Sequence, residues 1–437
     1  MVTMYQPLDV FGQHPGLNKL YTQLCLCFPL AETRRVQAVR SLRAGLHRLT
    51  SSIPWLSGRV MYDGDSRCYS IRPSDDPVAL IVKDLSEILP SLKEFQASGY
   101  PARHLDEKLI APCNTIRTDL ERAAPVFLVQ ANFVKNGMML VVCGLHSCMG
   151  MAGMGYITSL FAKACHDEDL TDDEVGAANL RGSDAIPLLD ADQLEAGLKR
   201  QSQSSPEARA TASNEDTKAI WSNITFSGES LATMKSHATE SITADFVSTD
   251  DCLSAFLWQS ITRARLTRLP DDRADTAITA ITRTVDARRT AGIPPTYTGN
   301  AAVKTSCQMA AKSLVHSSLG TVASQLREAL DDAGYKFRLE ATLLNQGRTP
   351  AKASVEPSTG VNLSSWAKEK TYELDFGPEL GTPEAVRRPT FDAWESLVYL
   401  MPKRQDGEIA VAVCLREDDA TRLKEDAVFT AYARFTD

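Results

Sequence analysis

The sequence is short of the features that would place it in several large classes. Its 437 residues contain no uninterrupted apolar stretch long enough to cross a bilayer, so no membrane association is expected. Its ten cysteines stand singly, without a C-x-x-C pair. That excludes the common zinc and dithiol redox patterns, and no metal site is expected. There is no basic excess: 47 Lys and Arg against 55 Asp and Glu leave a net charge of −8, the wrong sign for neutralising phosphates. No nucleic-acid partner is expected. The opening MVTMYQPLDV carries Pro7 and Asp9 where a secretion signal would be continuously apolar, so a cytoplasmic setting is expected.

What is present is the make-up of a folded protein too long for one core. Hydrophobic residues are 43% and charged residues 23%, and the length points to two or three domains. VFLVQANFVKNGMMLVVCGLH (126–146) sets two apolar runs on either side of Asn136-Gly137, a hairpin signal. Met149, Gly153, Tyr156, Leu160 and Ala164 then recur at helical spacing. A second hairpin is expected from 397–403 and 408–415 around Asp406-Gly407, followed by a helix from about 418. Between these halves, 182–218 is rich in Ser, Ala, Asp, Glu and Gln and reads as a surface linker. The expected organisation is therefore a domain over 1–181, a linker over 182–218 and a domain over 219–437. Helices are expected over roughly 32–52, 247–265 and 315–333. The second begins with Ser248 and Asp251 spaced as a capping box, and buries Leu253, Phe256, Leu257 and Ile261. The class is α/β or α+β.

His146 is the one histidine of the seven that closes an apolar run before a glycine-rich turn. On residues alone it is either a general base or a strand-end histidine with no chemistry. Cys148, two residues on, lacks the surroundings of a thiol nucleophile. Gly150, Gly153 and Gly155 fall in the order G-x-x-G-x-G with no Gly-Lys-Ser/Thr after them, so a close backbone approach is expected and not a phosphate loop. The DFG at 375–377 has none of the companion segments of a kinase.

Taken in order, PLDVFGQ (7–13), LYTQLCLCFPL (20–30), PWLSGRV (54–60), GLH (144–146), STDDCLSAFLWQSITRAR (248–265), VDARR (285–289), YTGN (297–300), SSW (364–366) and DFGPELGTPE (375–384) resemble the BAHD superfamily of acyl-CoA-dependent acyltransferases. The likeness is to its fungal branch, which includes trichothecene 3-O-acetyltransferases, and it spans nearly the whole chain. It implies two chloramphenicol-acetyltransferase-like α/β domains, with mixed sheets and flanking helices, and an active-site channel at their interface. It implies a monomer that binds no resident cofactor and takes acyl-CoA and a small-molecule acceptor. His146 falls on the histidine of the family's H-x-x-x-D motif, the general base. Ser364, Ser365 and Trp366 match a channel-lining segment, and Asp375, Phe376 and Gly377 match a structural motif.

The departure is Gly150, where the family has aspartate paired to an arginine that matches Arg288. Glycine at 150 is expected either because the backbone needs positive φ or because a substrate fills the vacated space. If Arg288 is buried without that partner, it needs another acid or a ligand anion. Three readings stand: acyl transfer, with acetyl the expected group; a repurposed, CoA-independent cyclisation or condensation that keeps His146 as base; and a catalytically silent relative that binds a metabolite or partner.

Overall fold

The computed structural model describes residues 6–74, 76–180, 185–203, 218–268, 276–350 and 355–436. Chain order gives strands β1 (Tyr21–Pro29), β2 (Leu80–Asp84), β3 (Phe127–Val134), β4 (Gly137–Leu145), β5 (Ala219–Phe226), β6 (Ile278–Asp286), β7 (Ala302–Ala310), β8 (Val361–Ser365), β9 (Ala385–Arg387), β10 (Leu397–Leu400), β11 (Ile409–Arg416) and β12 (Ala433–Phe435). The helices that matter here are α1 (Arg35–Ser52), α2 (Met151–Cys165), α3 (Ala191–Gln203), α4 (Thr249–Leu266), α5 (Leu319–Glu328) and α6 (Ala333–Asn345).

Of the three sheets among the described residues, a five-stranded one runs β9-β1-β4-β3-β2 and a seven-stranded one β7-β6-β8-β10-β11-β5-β12, while the short strands Gln6–Pro7, Cys68–Arg72, Arg59–Asp63 and Ala124–Pro125 form a small third sheet. The hairpin β3–β4 forms as expected, with its turn one residue earlier. Val134 pairs with Gly137, and Asn136 takes the left-handed φ of 60°. Gly137 is a strand residue, and a Cβ there would strike Leu92 at 2.6 Å. Every residue of β4 is buried, so its side chains feed two apolar faces at once. The second hairpin, β10–β11, also forms, with Gly407 at φ 87° in its loop.

α4 carries the expected Ser248–Asp251 capping box and is buried along almost its whole length, Trp258 included. The helix expected over 315–333 is broken, because Ser318 accepts a hydrogen bond from the Thr321 N–H and starts α5 as a separate helix. Of the expected linker, residues 182–184 and 204–217 lie outside the described residues. Between them α3 is an ordered helix, with Leu194 and Leu198 against Leu339 and Leu343 of α6. Its charged outer face hid that stripe in a composition count.

The last span of chain, 219–437, does not stay with one sheet. β9 pairs with Cys25–Cys27 of β1, and Tyr372, Phe376, Leu380 and Val386 join the first core. Phe376 sits edge-on to Phe28 and Phe161, with ring centroids 5.3 and 5.6 Å apart. Asp375 accepts the Gly377 N–H at 2.9 Å, and Gly377 has φ 89°. The DFG segment is thus a tight turn that plugs an aromatic side chain between β1 and α2. Among the described residues no helix is long and apolar enough to cross a membrane, and no three His, Cys, Asp or Glu are grouped to hold a metal.

Candidate active site

A cavity of about 360 Å³ is lined by residues of both larger sheets and so by both halves of the chain. His146, Gly150, Arg288, Ser364, Ser365 and Trp366 all border it. The structure therefore brings together the expected base, the position expected to depart from the family motif and the expected lining segment. Asp375, Phe376, Gly377 and Cys148 do not border it.

His146 leaves the end of β4 with its backbone N–H donating to the Leu20 carbonyl at 2.8 Å. Ser147 fixes the following turn by donating to Asn18 Oδ1 at 2.7 Å. His146 Nδ1 is buried with no hydrogen-bond partner among the described residues. Burial, and after it the charge of Lys304, holds the imidazole below its usual pKa. Both disfavour the cation, so the ring is neutral at physiological pH, the form that accepts a proton.

The three glycines each answer a different neighbour. Gly150 is the N-cap of α2 with φ −76° and ψ 179°, a conformation open to any residue, so the expected positive φ is absent. A Cβ there would lie 3.3 Å from Asn300 Oδ1. At Gly153 a Cβ would overlap the Thr298 carbonyl, and at Gly155 the Glu369 carboxylate. The close approach is thus α2 against a loop and a side chain from the other half of the chain.

Arg288 is buried and fully engaged. It donates to Asp286 Oδ1 at 2.9 Å, to the Tyr297 carbonyl from Nε and Nη2 at 3.1 and 2.9 Å, and to the Gly299 carbonyl at 3.0 Å. The Tyr297 hydroxyl in turn donates to Asp9, tying PLDVFGQ and YTGN to one loop. Asp286 is thus the other acid that a buried arginine requires, and it lies two residues away. Gly150 therefore does not leave Arg288 unpartnered, and the ground an unpartnered Arg288 would have given for a repurposed centre is absent.

Of the paired serines, Ser365 is committed to Asp250, which receives Arg283 Nη2 at 2.6 Å. Ser364 Oγ accepts from Trp366 Nε1 at 3.2 Å. Several cavity residues escaped the sequence reading: Asn300, Lys304, Glu369, Arg388 and Tyr399. Asp286 and Asn300 stood inside segments already singled out, VDARR and YTGN. Glu369 had no local signal. Burial, and then the neighbouring Asp286, push its carboxyl up to about 7.

An aspartate at 150 would therefore enter a cavity already holding Asp286 and Glu369, and would find Arg288 occupied. Gly150→Asp is expected to fold normally and keep its CoA affinity. It should lose about tenfold or more in kcat/KM, as small misplacements at a reacting centre do. A gain in activity would show that the new carboxylate reaches Arg288 after all.

Residues 20–165 match the family described as trichothecene 3-O-acetyltransferase-like N-terminal domain. The chain is 41% identical to the O-acetyltransferase dmxR13 of Cryptosporiopsis sp., over 98% of its own length and 97% of that protein. It is 36% identical to trichothecene 3-O-acetyltransferase TRI101 of Fusarium sporotrichioides, over 98% and 96%. The crystal structure of F. graminearum TRI101 with coenzyme A and deoxynivalenol superposes with a TM-score of 0.89 at 35% identity, covering 99% of this chain and all of that one.

Proposed function

From the premise that the chain belongs to the trichothecene 3-O-acetyltransferase-like family, and is an O-acetyltransferase built of two chloramphenicol-acetyltransferase-like domains, we propose that it moves the acetyl group of acetyl-CoA to a hydroxyl of a small specialised metabolite, with His146 as general base. The observation that carries this reading is a neutral imidazole, with its pKa lowered by burial, on the wall of a cavity shared by both halves.

In this mechanism His146 takes the acceptor hydroxyl proton as the oxygen attacks the thioester carbonyl. The carbon–sulfur bond then breaks, and the imidazolium returns the proton to the departing thiolate. Acetate ester and free CoA are the products, and no enzyme nucleophile is consumed. The Ser364 hydroxyl supports the cavity's capacity to donate to the transient oxyanion, a role that requires a donor already in place. Gly150 stands where the family motif has aspartate. Its loop keeps its shape because Arg288, Asp286 and Asn300 hold the facing wall, and the space left open belongs to the acceptor.

The test is direct. Coenzyme A should raise the melting temperature of the protein, because a ligand that binds only the native state stabilises it by mass action. Acetyl-CoA with an extract of candidate acceptors should release free thiol. No thermal shift with millimolar CoA, combined with conversion of a single substrate in its absence, would overturn the transferase reading.

A further inference from the structure

Arg388 follows β9 and reaches the cavity wall from the side of the first core. It is only 5% exposed, yet no carboxylate lies within salt-bridge distance of it among the described residues. Nη1 donates to the Pro389 carbonyl at 2.8 Å and Nη2 to Thr115 Oγ1 at 3.1 Å. Nε is buried without a partner among the described residues. The guanidinium lies 4.2 Å from the centroid of Phe391 and 4.8 Å from that of Tyr399, two rings that also border the cavity.

The nearest acid in this chain of bonds is Glu107, one hydroxyl removed: Thr115 Oγ1 donates to Glu107 Oε2 at 2.6 Å. Burial pushes the Glu107 carboxyl above the usual carboxylate range, towards its neutral form. Arginine cannot respond in kind, because it stays charged. A buried cation with an incomplete set of acceptors is costly unless an anion completes it.

We infer that Arg388 anchors the acceptor, and that the acceptor carries an acidic oxygen, a carboxylate or an ionised enol or phenol, on an apolar frame. This rests on the transferase reading above and names the class of its second substrate. A guanidinium held by two partners keeps N–H groups for one oxyanion, and charge-assisted hydrogen bonds of this kind are the strong ones. The Trp366, Phe391 and Leu397 side chains that share the wall suit an unsaturated or aliphatic carbon frame. The phosphates of the donor are a poor match, since Arg388 is buried among aromatic rings and Arg288, the other arginine lining the cavity, is already engaged, whereas a diphosphate requires solvent access and several cations free to meet it.

The experiment uses the full-length protein and two probes of one shape, benzoate and its neutral isostere benzamide. Binding is followed by quenching of tryptophan fluorescence, with and without saturating coenzyme A. Benzoate is expected to bind about tenfold or more tightly than benzamide at neutral pH, and to bind together with coenzyme A. Arg388→Met should abolish the preference and leave coenzyme A affinity unchanged, and Arg388→Lys should restore part of it. Equal affinity of the two probes for the wild-type protein would overturn the inference, whether or not the variants fold. So would a preference that survives in Arg388→Met, or displacement of benzoate by coenzyme A. Thiol release from acetyl-CoA, measured separately, reports on the transferase reading, so that the two can fail independently.

Discussion

Replacing His146 with alanine is expected to lower kcat by about 10²–10⁴-fold while coenzyme A binding and the melting temperature hold. The side chain ends a buried strand and makes no hydrogen bond through Nδ1 among the described residues, so its removal breaks little that supports the fold. It does remove the proton acceptor. The pH profile gives a second readout. Only the neutral ring can act as base, so the rate of the wild-type enzyme should rise with pH and then level. Burial and the Lys304 charge lower the pKa of His146, so the limb should fall below about 6.5, the ordinary histidine value. A fold-intact alanine variant with near-normal turnover would leave His146 as a strand-end residue without chemistry. A limb well above the ordinary value would assign the titration to another group.

Arg288→Met is expected to cost about 3 kcal/mol of stability. The substitution keeps the length of the side chain but leaves the Tyr297 and Gly299 carbonyls without their buried donors. It also frees the loop that carries Asn300, which packs directly against Gly150. Activity should fall with stability, since that loop forms part of the wall. Asp286→Asn is the contrasting change. The Asp286 side chain is half exposed, so losing its charge should cost about 1 kcal/mol or less. The shift in the denaturant midpoint distinguishes the two. A midpoint for Arg288→Met indistinguishable from wild type would mean that the loop is held by Asp9, Tyr297 and packing alone.

Some of this was readable from short stretches of sequence, because the forces involved act over a few residues. Turn chemistry at Asn136-Gly137 and the two apolar runs beside it announced the β3–β4 hairpin, and the Ser248–Asp251 spacing announced the start of α4. His146 was visible as the residue where a strand yields to a helix. The partner of Arg288 is also local, at Asp286, two residues away in the same VDARR segment. The break before α5 does not show in the sequence, because continuous helical periodicity outweighs the Ser318 cap.

The sequence by itself determined the two hairpins, the start of α4 and the place of His146 at the end of β4, since turn preference, capping and apolar period depend on neighbours in the chain. Only the tertiary structure decided what surrounds His146. The cavity is assembled from segments near 20–22, 115–116, 146–152, 282–304, 362–369 and 388–399, and residues so far apart meet through packing alone. β9 returns to the first sheet from the far end of the chain and brings Arg388 with it. Gly150, Gly153 and Gly155 look alike in sequence, yet each makes room for a different group from the other half. Glu369 and Arg388 read as ordinary surface charges until the fold buries them, because the cost of removing a charge from water is set by the whole enclosure and leaves no mark on the residues beside it in the chain.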